Sequence, residues 1–225
     1  MRITSGIYKG RTIKMPKGIR PTQGKVRKAL FDILGDIQGL SFLELFSGSG
    51  AVGFEAVSQG AKQVVFVENN SGCIKALKNN FTYLLPTTYY LLPLDVFMAI
   101  KKLSKDKKQF DIIFLDPPYY RPEGRGLASD KPEGNGLASF GQSHSQSHRP
   151  EGRGLASFGQ SHKDVSKKIL QMLGVYDILA PNGFVVIQHF KKEQLPKESG
   201  KLILVKESRY GDTVLSFYKK IGVSV

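Results

Sequence analysis

Two short stretches hold the residues best suited to chemistry. Gly48-Ser49-Gly50-Ala51-Val52-Gly53 has the spacing G-x-G-x-x-G, in which glycines let a ligand approach the backbone closely. The apolar run 41–46 before it reads as a buried strand and 51–59 after it as a helix, which is the context the motif requires. Glu68 ends the next apolar run, where a carboxylate can accept both hydroxyls of a ribose. These residues fit either a nicotinamide dinucleotide or S-adenosylmethionine. Asp116-Pro117-Pro118-Tyr119 decides between them. It follows a fourth strand and so faces the same crevice as the glycine loop. Methylating an exocyclic amino group is hard because the nitrogen lone pair is delocalised into the base. A carboxylate and a prolyl carbonyl can accept the two amine hydrogens and offset the positive charge that develops. Two prolines stiffen that loop, and Tyr119 can stack on a base drawn out of its helix. The same tetrapeptide outside this context is an ordinary turn.

Asp95 has two readings. It follows a third strand (89–92), where it would reach an adenine amine, and it also precedes a helical stretch (96–103) that it could cap. The single cysteine, Cys73, lies outside both motifs, which excludes an internal disulfide or a multi-cysteine metal site; no metal is expected.

The elements that must position these groups alternate. Strands are expected at 41–46, 64–68, 89–92, 111–115 and 184–189, with two more near 202–208 and 213–219 around Tyr210-Gly211-Asp212. Helices are expected at 51–59, 70–84, 96–103 and 164–173. An earlier helix, capped by Thr22, carries Val26, Ala29, Leu30, Ile33 and Leu34 at helical spacing and ends at Gly35. This pattern indicates an α/β, doubly wound, mostly parallel sheet whose last two strands are antiparallel to each other.

The net charge of +14 points to a polyanionic partner. Residues 1–31 hold nine basic side chains and no acid. Residues 3–15 read as a small basic β-hairpin turning at Lys9-Gly10, with Arg2, Lys9, Arg11, Lys14 and Arg20 as candidate RNA contacts. Lys25, Arg27 and Lys28 extend the same cationic surface. A transit peptide is also basic and acid-poor, but the Gly and Pro here oppose an amphipathic helix. No run approaches the roughly 18 apolar residues of a membrane helix, so a cytoplasmic protein is expected, with no membrane partner.

Residues 121–162 are a separate matter. RPEGRGLAS at 121–129, KPEGNGLASFGQSH at 131–144 and RPEGRGLASFGQSH at 149–162 are near-identical copies. They hold too few apolar residues to offset the entropy of ordering the chain, so the segment reads as a disordered tandem expansion. Three of the four histidines (His144, His148, His162) lie there, with nothing rigid to bring them together on a metal. The expected organisation is 1–35 as a basic hairpin and helix, 36–120 with 163–225 as the catalytic domain, and 121–162 as an insert.

The stretch LELFSGSGAVGFEAVSQG (43–60), DIIFLDPPY (111–119), Arg20-Pro21-Thr22 before a basic helix, and SRYGDTVLSFY (208–218) together resemble the RsmD family of bacterial methyltransferases. The resemblance covers most of 1–120 and 163–220. It implies a Rossmann-like class I sheet of seven strands with an antiparallel final strand, and S-adenosylmethionine as donor. The implied activity is methylation of the N2 amine of one guanine in 16S ribosomal RNA, within an assembled or partly assembled small subunit. Carried over by motif, Glu44, Gly48, Gly50, Glu68 and Asp95 would hold the cofactor and Asp116, Pro117 and Tyr119 the guanine, while Arg20 and Thr22 lie at the pocket lip, with Thr22 grouped among the cofactor contacts. The insert departs from that family, where Asp-Pro-Pro-Tyr runs almost directly into the next helix. A monomer is expected. Three alternatives stand beside it: adenine-N6 methylation of DNA or RNA, which Asp-Pro-Pro-Tyr and the basic arm fit equally and only the family resemblance sets aside; a nicotinamide-dependent oxidoreductase, which leaves Asp-Pro-Pro-Tyr and the charge unused; and a non-catalytic RNA-binding protein disabled by the insert.

Overall fold

A computed structural model of the chain describes residues 1–16, 22–82, 89–117 and 164–222. The strands are β1 (Ser41–Leu45), β2 (Gln63–Val67), β3 (Tyr89–Leu92), β4 (Phe110–Leu115), β5 (Leu179–Phe190), β6 (Glu198–Ser199), β7 (Leu202–Tyr210) and β8 (Thr213–Lys220). The helices are α1 (Gly24–Leu34), α2 (Ala51–Ser58), α3 (Ser71–Phe81), α4 (Val96–Lys105) and α5 (Val165–Val175). One mixed sheet has the order β3-β2-β1-β4-β5-β8-β7-β6. The first five strands in that order are parallel, and β8 runs antiparallel to both β5 and β7. The sheet therefore has eight strands rather than seven. The extra one, β6, is a two-residue edge too short to leave a periodic signal.

Alternation along β1 sorts its side chains to the two faces of the sheet. Phe42 joins a cluster with Val52 and Phe54 of α2, Leu30 of α1, and Leu77 and Phe81 of α3. Leu43 and Leu45 join Ile100 and Leu103 of α4 and Ile169 and Leu173 of α5 on the other face. Glu44 shares the Phe42 side, beneath α2. All eight residues of α2 are buried, Glu55 included. No helix of the described residues is long and apolar enough to cross a membrane.

The N-terminal segment departs from the expected hairpin. It has a single bridge, Arg2↔Thr12, with Ile3 N donating to Arg11 O and Gly10 N to Ile3 O. No ladder of strands forms, because the amides of Thr4 and Ser5 donate instead to the Glu55 carboxylate at 3.0 and 2.7 Å. Ile3 and Ile13 fix this loop in the α1–α2 cluster. Arg27 is a second correction. Only 2% exposed, it belongs to no cationic surface: its Nε lies 3.1 Å from Glu55 Oε2, and its other nitrogens donate to Arg2 O and Thr22 O. Thr22 is likewise not the helix cap. Gln23 occupies that position without a side-chain hydrogen bond, and Gly35 closes the helix as expected.

Candidate active site

At the carboxyl edge of the sheet, four neighbouring strands deliver the groups picked out by the motifs. In register, β1 Leu45 pairs with β4 Leu115, and Leu115 pairs with β5 Ile187. The residues that follow, Phe46, Asp116 and Gln188, therefore emerge side by side. Sheet order reverses between β1 and β4, and a crevice opens at such a point in open α/β sheets. The glycine loop and Asp116 thus share one rim.

The loop from β1 to α2 is held by short polar contacts. Phe46 (φ 57°), Gly48 (φ 52°) and Gly50 (φ 76°) all take left-handed conformations, so the chain turns sharply into the helix. Ser47 ties the loop to β2: its N donates to Val67 O at 3.0 Å, and its Oγ accepts from Val67 N at 3.0 Å. Gly50 caps α2 and has no side chain to offer the helix amides. Glu44 takes that part from the adjacent strand, with its two oxygens accepting from Val52 N (3.2 Å) and Gly53 N (3.1 Å). A Cβ on Gly53 would lie 2.3 Å from Phe66 Cε1 and 2.7 Å from Glu44 Oε2, so the third glycine of the motif serves helix–strand packing. Burial pushes the Glu44 carboxyl up to about 8, against the two amides, with Asp116 and Glu68 adding like charge.

Glu68, just past β2, reaches across to the loop. Its Oε2 accepts from Gly48 N at 2.7 Å, and its Oε1 from Asn69 N and Asn70 N at 2.9 and 2.8 Å. Asp95 follows β3 and caps α4, with Oδ1 accepting from Phe97 N at 2.8 Å. The capping reading therefore holds for one carboxylate oxygen. Burial raises the Asp116 carboxyl to about 7, against hydrogen bonds from Gln188 and Thr22 that favour its charged form. The Gln188 bond, Nε2 to Oδ2, measures 2.6 Å. Pro117, the next residue, is buried. Pro118, Tyr119 and Arg20 lie outside the described residues, as does the 121–162 repeat.

The other basic candidates sit on the N-terminal loop. Arg2, Lys9, Arg11 and Lys14 are all exposed there. The Arg11 guanidinium lies 4.8 Å from the Tyr8 ring centroid, and the backbone of Lys14 is fixed by a two-way hydrogen bond with Asn80 (2.9 Å each). Cys73 is buried in α3. Burial, then the charge of Glu68, lifts its thiol to about 11, which leaves it no nucleophile.

Sequence reasoning passed over Ser47 and Gln188, and it gave Thr22 a different neighbour. Gln188 left a signal: a lone amide after Val185, Val186 and Ile187 in a central strand has to be there for a partner.

Comparison with known proteins adds four findings. YlbH of Bacillus subtilis, provisionally named an rRNA methyltransferase, is 29% identical over 226 residues, covering 99% of this chain and all of its own. Ribosomal RNA small subunit methyltransferase D of Haemophilus influenzae is 32% identical over 124 residues, which span 53% of this chain and 64% of that protein. The solved structure of Escherichia coli yhhF, provisionally named a methyltransferase, superposes with a TM-score of 0.69 at 23% identity, covering 98% of this chain and 97% of its own. That fold is the Rossmann-like class I methyltransferase sheet. Residues 1–127 and 160–219 match the family described as conserved hypothetical protein 95, leaving most of the repeat between the two segments. The chain belongs to that family, the RsmD family whose motifs it carries.

Proposed function

We propose that this protein transfers a methyl group from S-adenosylmethionine to the N2 amine of a guanine in small-subunit (16S) ribosomal RNA. The observation that carries this reading is the placement of Asp116, followed by the buried Pro117, beside the strand that leads into the glycine loop. The rRNA substrate is supported by the names of the two relatives, and guanine N2 by the family resemblance of the Asp-Pro-Pro-Tyr segment.

The donor set fits the cofactor. Glu68 and Asp95 stand at the ends of adjacent strands, with Asp116 two strands further along the same edge. Such an edge suits ribose hydroxyls, an adenine amine and a positive sulfonium. It does not suit the pyrophosphate of a dinucleotide: the Gly48 amide that would meet a phosphate already donates to a carboxylate. When bound, S-adenosylmethionine supplies an electrophilic methyl group. Gly48, Gly50, Glu68 and Asp95 would hold it, with Glu44 fixing the loop from beneath through α2.

The residues of the chain then act on the amine. Asp116 accepts one N–H and the Pro117 carbonyl is a candidate for the other, which aims the nitrogen lone pair and offsets the charge it develops. Tyr119 stacks on the base. The basic loop of residues 2–14, with Arg20, tracks phosphates. In this division residues 1–35 form the RNA-contacting appendage of the catalytic body, and 121–162 lie outside it.

Asp116→Asn tests the reading. It should lower methyl transfer to small-subunit particles by about 10²–10³-fold while leaving S-adenosylmethionine affinity by calorimetry within about twofold. Unchanged transfer removes Asp116 from the reaction. Mass mapping of ribosomal RNA from cells with and without the gene should show one N2-methylguanine lost. Loss of an N6-methyladenine in its place would reassign the base.

A further inference from the structure

We infer that Gln188 is a positioning residue for the proposed methyl transfer, holding the Asp116 carboxylate in place for the substrate amine through its Nε2–Oδ2 hydrogen bond. The inference rests on the function proposed above only in giving Asp116 its substrate. The contact itself is a property of the fold.

Three observations carry it. β5 lies between β4 and β8, and Gln188 is 4% exposed after three fully buried apolar residues. An amide there has no solvent, and a methionine or leucine would fill the space without a polar penalty. Second, Gln188 Oε1 is buried with no hydrogen-bond partner among the described residues, so the side chain is only half satisfied. A group kept at that cost is kept for its other end. Third, that end is 2.6 Å from Asp116 Oδ2, at the short limit of such contacts. Turning the amide over would set its oxygen against a carboxylate oxygen, so an ionised Asp116 fixes which way Gln188 faces.

The neighbours of Asp116 make this contact matter. From β1 its own charge reaches the Glu44 carboxyl, while it accepts from the Thr22 hydroxyl, on the residue before the α1 cap, and from Gln188 on β5. Among the described residues no cation pairs with it. Two neutral donors therefore favour its charged form against burial, and Gln188 is the one mounted on a central strand. Its register, one residue past Ile187 opposite Leu115, leaves the pair little freedom to shift.

The test uses the full chain with ¹³C-labelled aspartate, the Asp116 carboxyl signal being assigned from Asp116→Asn. Gln188→Met keeps the volume and removes the donor. It should move the Asp116 titration midpoint up by half a pH unit or more. The acid limb of methyl transfer should move with it, so that the rate falls at least two- to threefold at pH 6.5 and recovers at pH 9. Its melting temperature should not fall, because the orphaned oxygen goes too. Where Gln188→Met does not fold, Gln188→Leu, which also lacks the donor, should shift the midpoint in the same direction. A midpoint unchanged in the variant overturns the inference. A wild-type protein that transfers no methyl group overturns the proposed function instead, while the carboxyl titration still decides the role of Gln188.

Discussion

Helix α2 brings together two buried glutamates whose carboxyls shift in opposite directions. Glu44 lies under its first turn and Glu55 within it, and both are almost wholly inaccessible. Burial pushes both carboxyls up, and at Glu44 only two backbone amides oppose it, so the group rises to about 8. At Glu55 burial is again the largest influence, but it is outweighed by hydrogen bonds from Ser5 and Thr4 and by the Arg27 charge, and the carboxyl falls below its ordinary value. Depth alone therefore does not set charge in this protein. The number and kind of donors does. The Glu55 end is built as a lock: one carboxylate gathers the amides and hydroxyls of Thr4 and Ser5 and the Arg27 guanidinium, and so fastens the basic loop to the body. The Glu44 end leaves a proton-labile carboxyl beneath the loop that would hold the cofactor.

The largest effect expected from this contrast is at the lock. Glu55→Leu strands a buried guanidinium and two amides and should cost about 3–5 kcal/mol in urea unfolding. Arg27→Met should cost less, because four donors from Thr4 and Ser5 remain on the carboxylate. Equal losses would mean that those donors contribute nothing. The sign with pH follows from the lowered carboxyl: the stability Glu55 supplies is complete above its unfolded value and disappears as pH falls through its lower folded value.

Glu44 should behave in the reverse sense. With its carboxyl raised from 4.5 to about 8, its contribution is complete below 4.5 and is lost as pH rises through 8. Asp116, raised to about 7, adds a slope of the same sign. Wild-type stability should therefore decline between pH 5 and pH 9, with the Glu44 share on the order of 4 kcal/mol. Glu44→Gln should flatten about half of that decline when melting is followed across the range, the remainder belonging to Asp116. A slope untouched by the substitution would show that the carboxyl does not titrate there.

What could be read from the sequence divides along the same line. Motifs that act through neighbours in the chain were visible: the strand–glycine–helix passage at 41–59, the Asp-Pro-Pro after a strand, and the periodic face of α1. Contacts between residues far apart in sequence were not. Thr4 and Ser5 meet Glu55 across about fifty positions and Gln188 meets Asp116 across seventy-two, and local spacing records neither. That is why a hairpin was expected where the amides serve a carboxylate, and why Arg27 was placed on a cationic surface. The sequence did hold a clue in each case, a charged or amide side chain in an otherwise apolar element. Glu55 within Ala51–Ser58 and Gln188 after Val185–Ile187 both demanded a partner without naming it.

The smallest expected effect bears on what the lock is for. If the basic loop tracks phosphates, neutralising Lys9, Arg11 and Lys14 should lower the dependence of log affinity on log salt by about 2–3, at roughly 0.7–0.9 per phosphate contact, measured on small-subunit RNA. S-adenosylmethionine affinity should not move, because the loop lies over α2 and the α3 residue Asn80 while the cofactor residues line the sheet edge. Glu55→Leu, assayed where it is still folded, removes no positive charge, yet it should weaken RNA binding by releasing the loop that presents those charges. Its affinity should fall with the salt slope less affected than in the triple variant. RNA affinity unchanged by Glu55→Leu would separate the lock from recognition and leave it a device of stability alone.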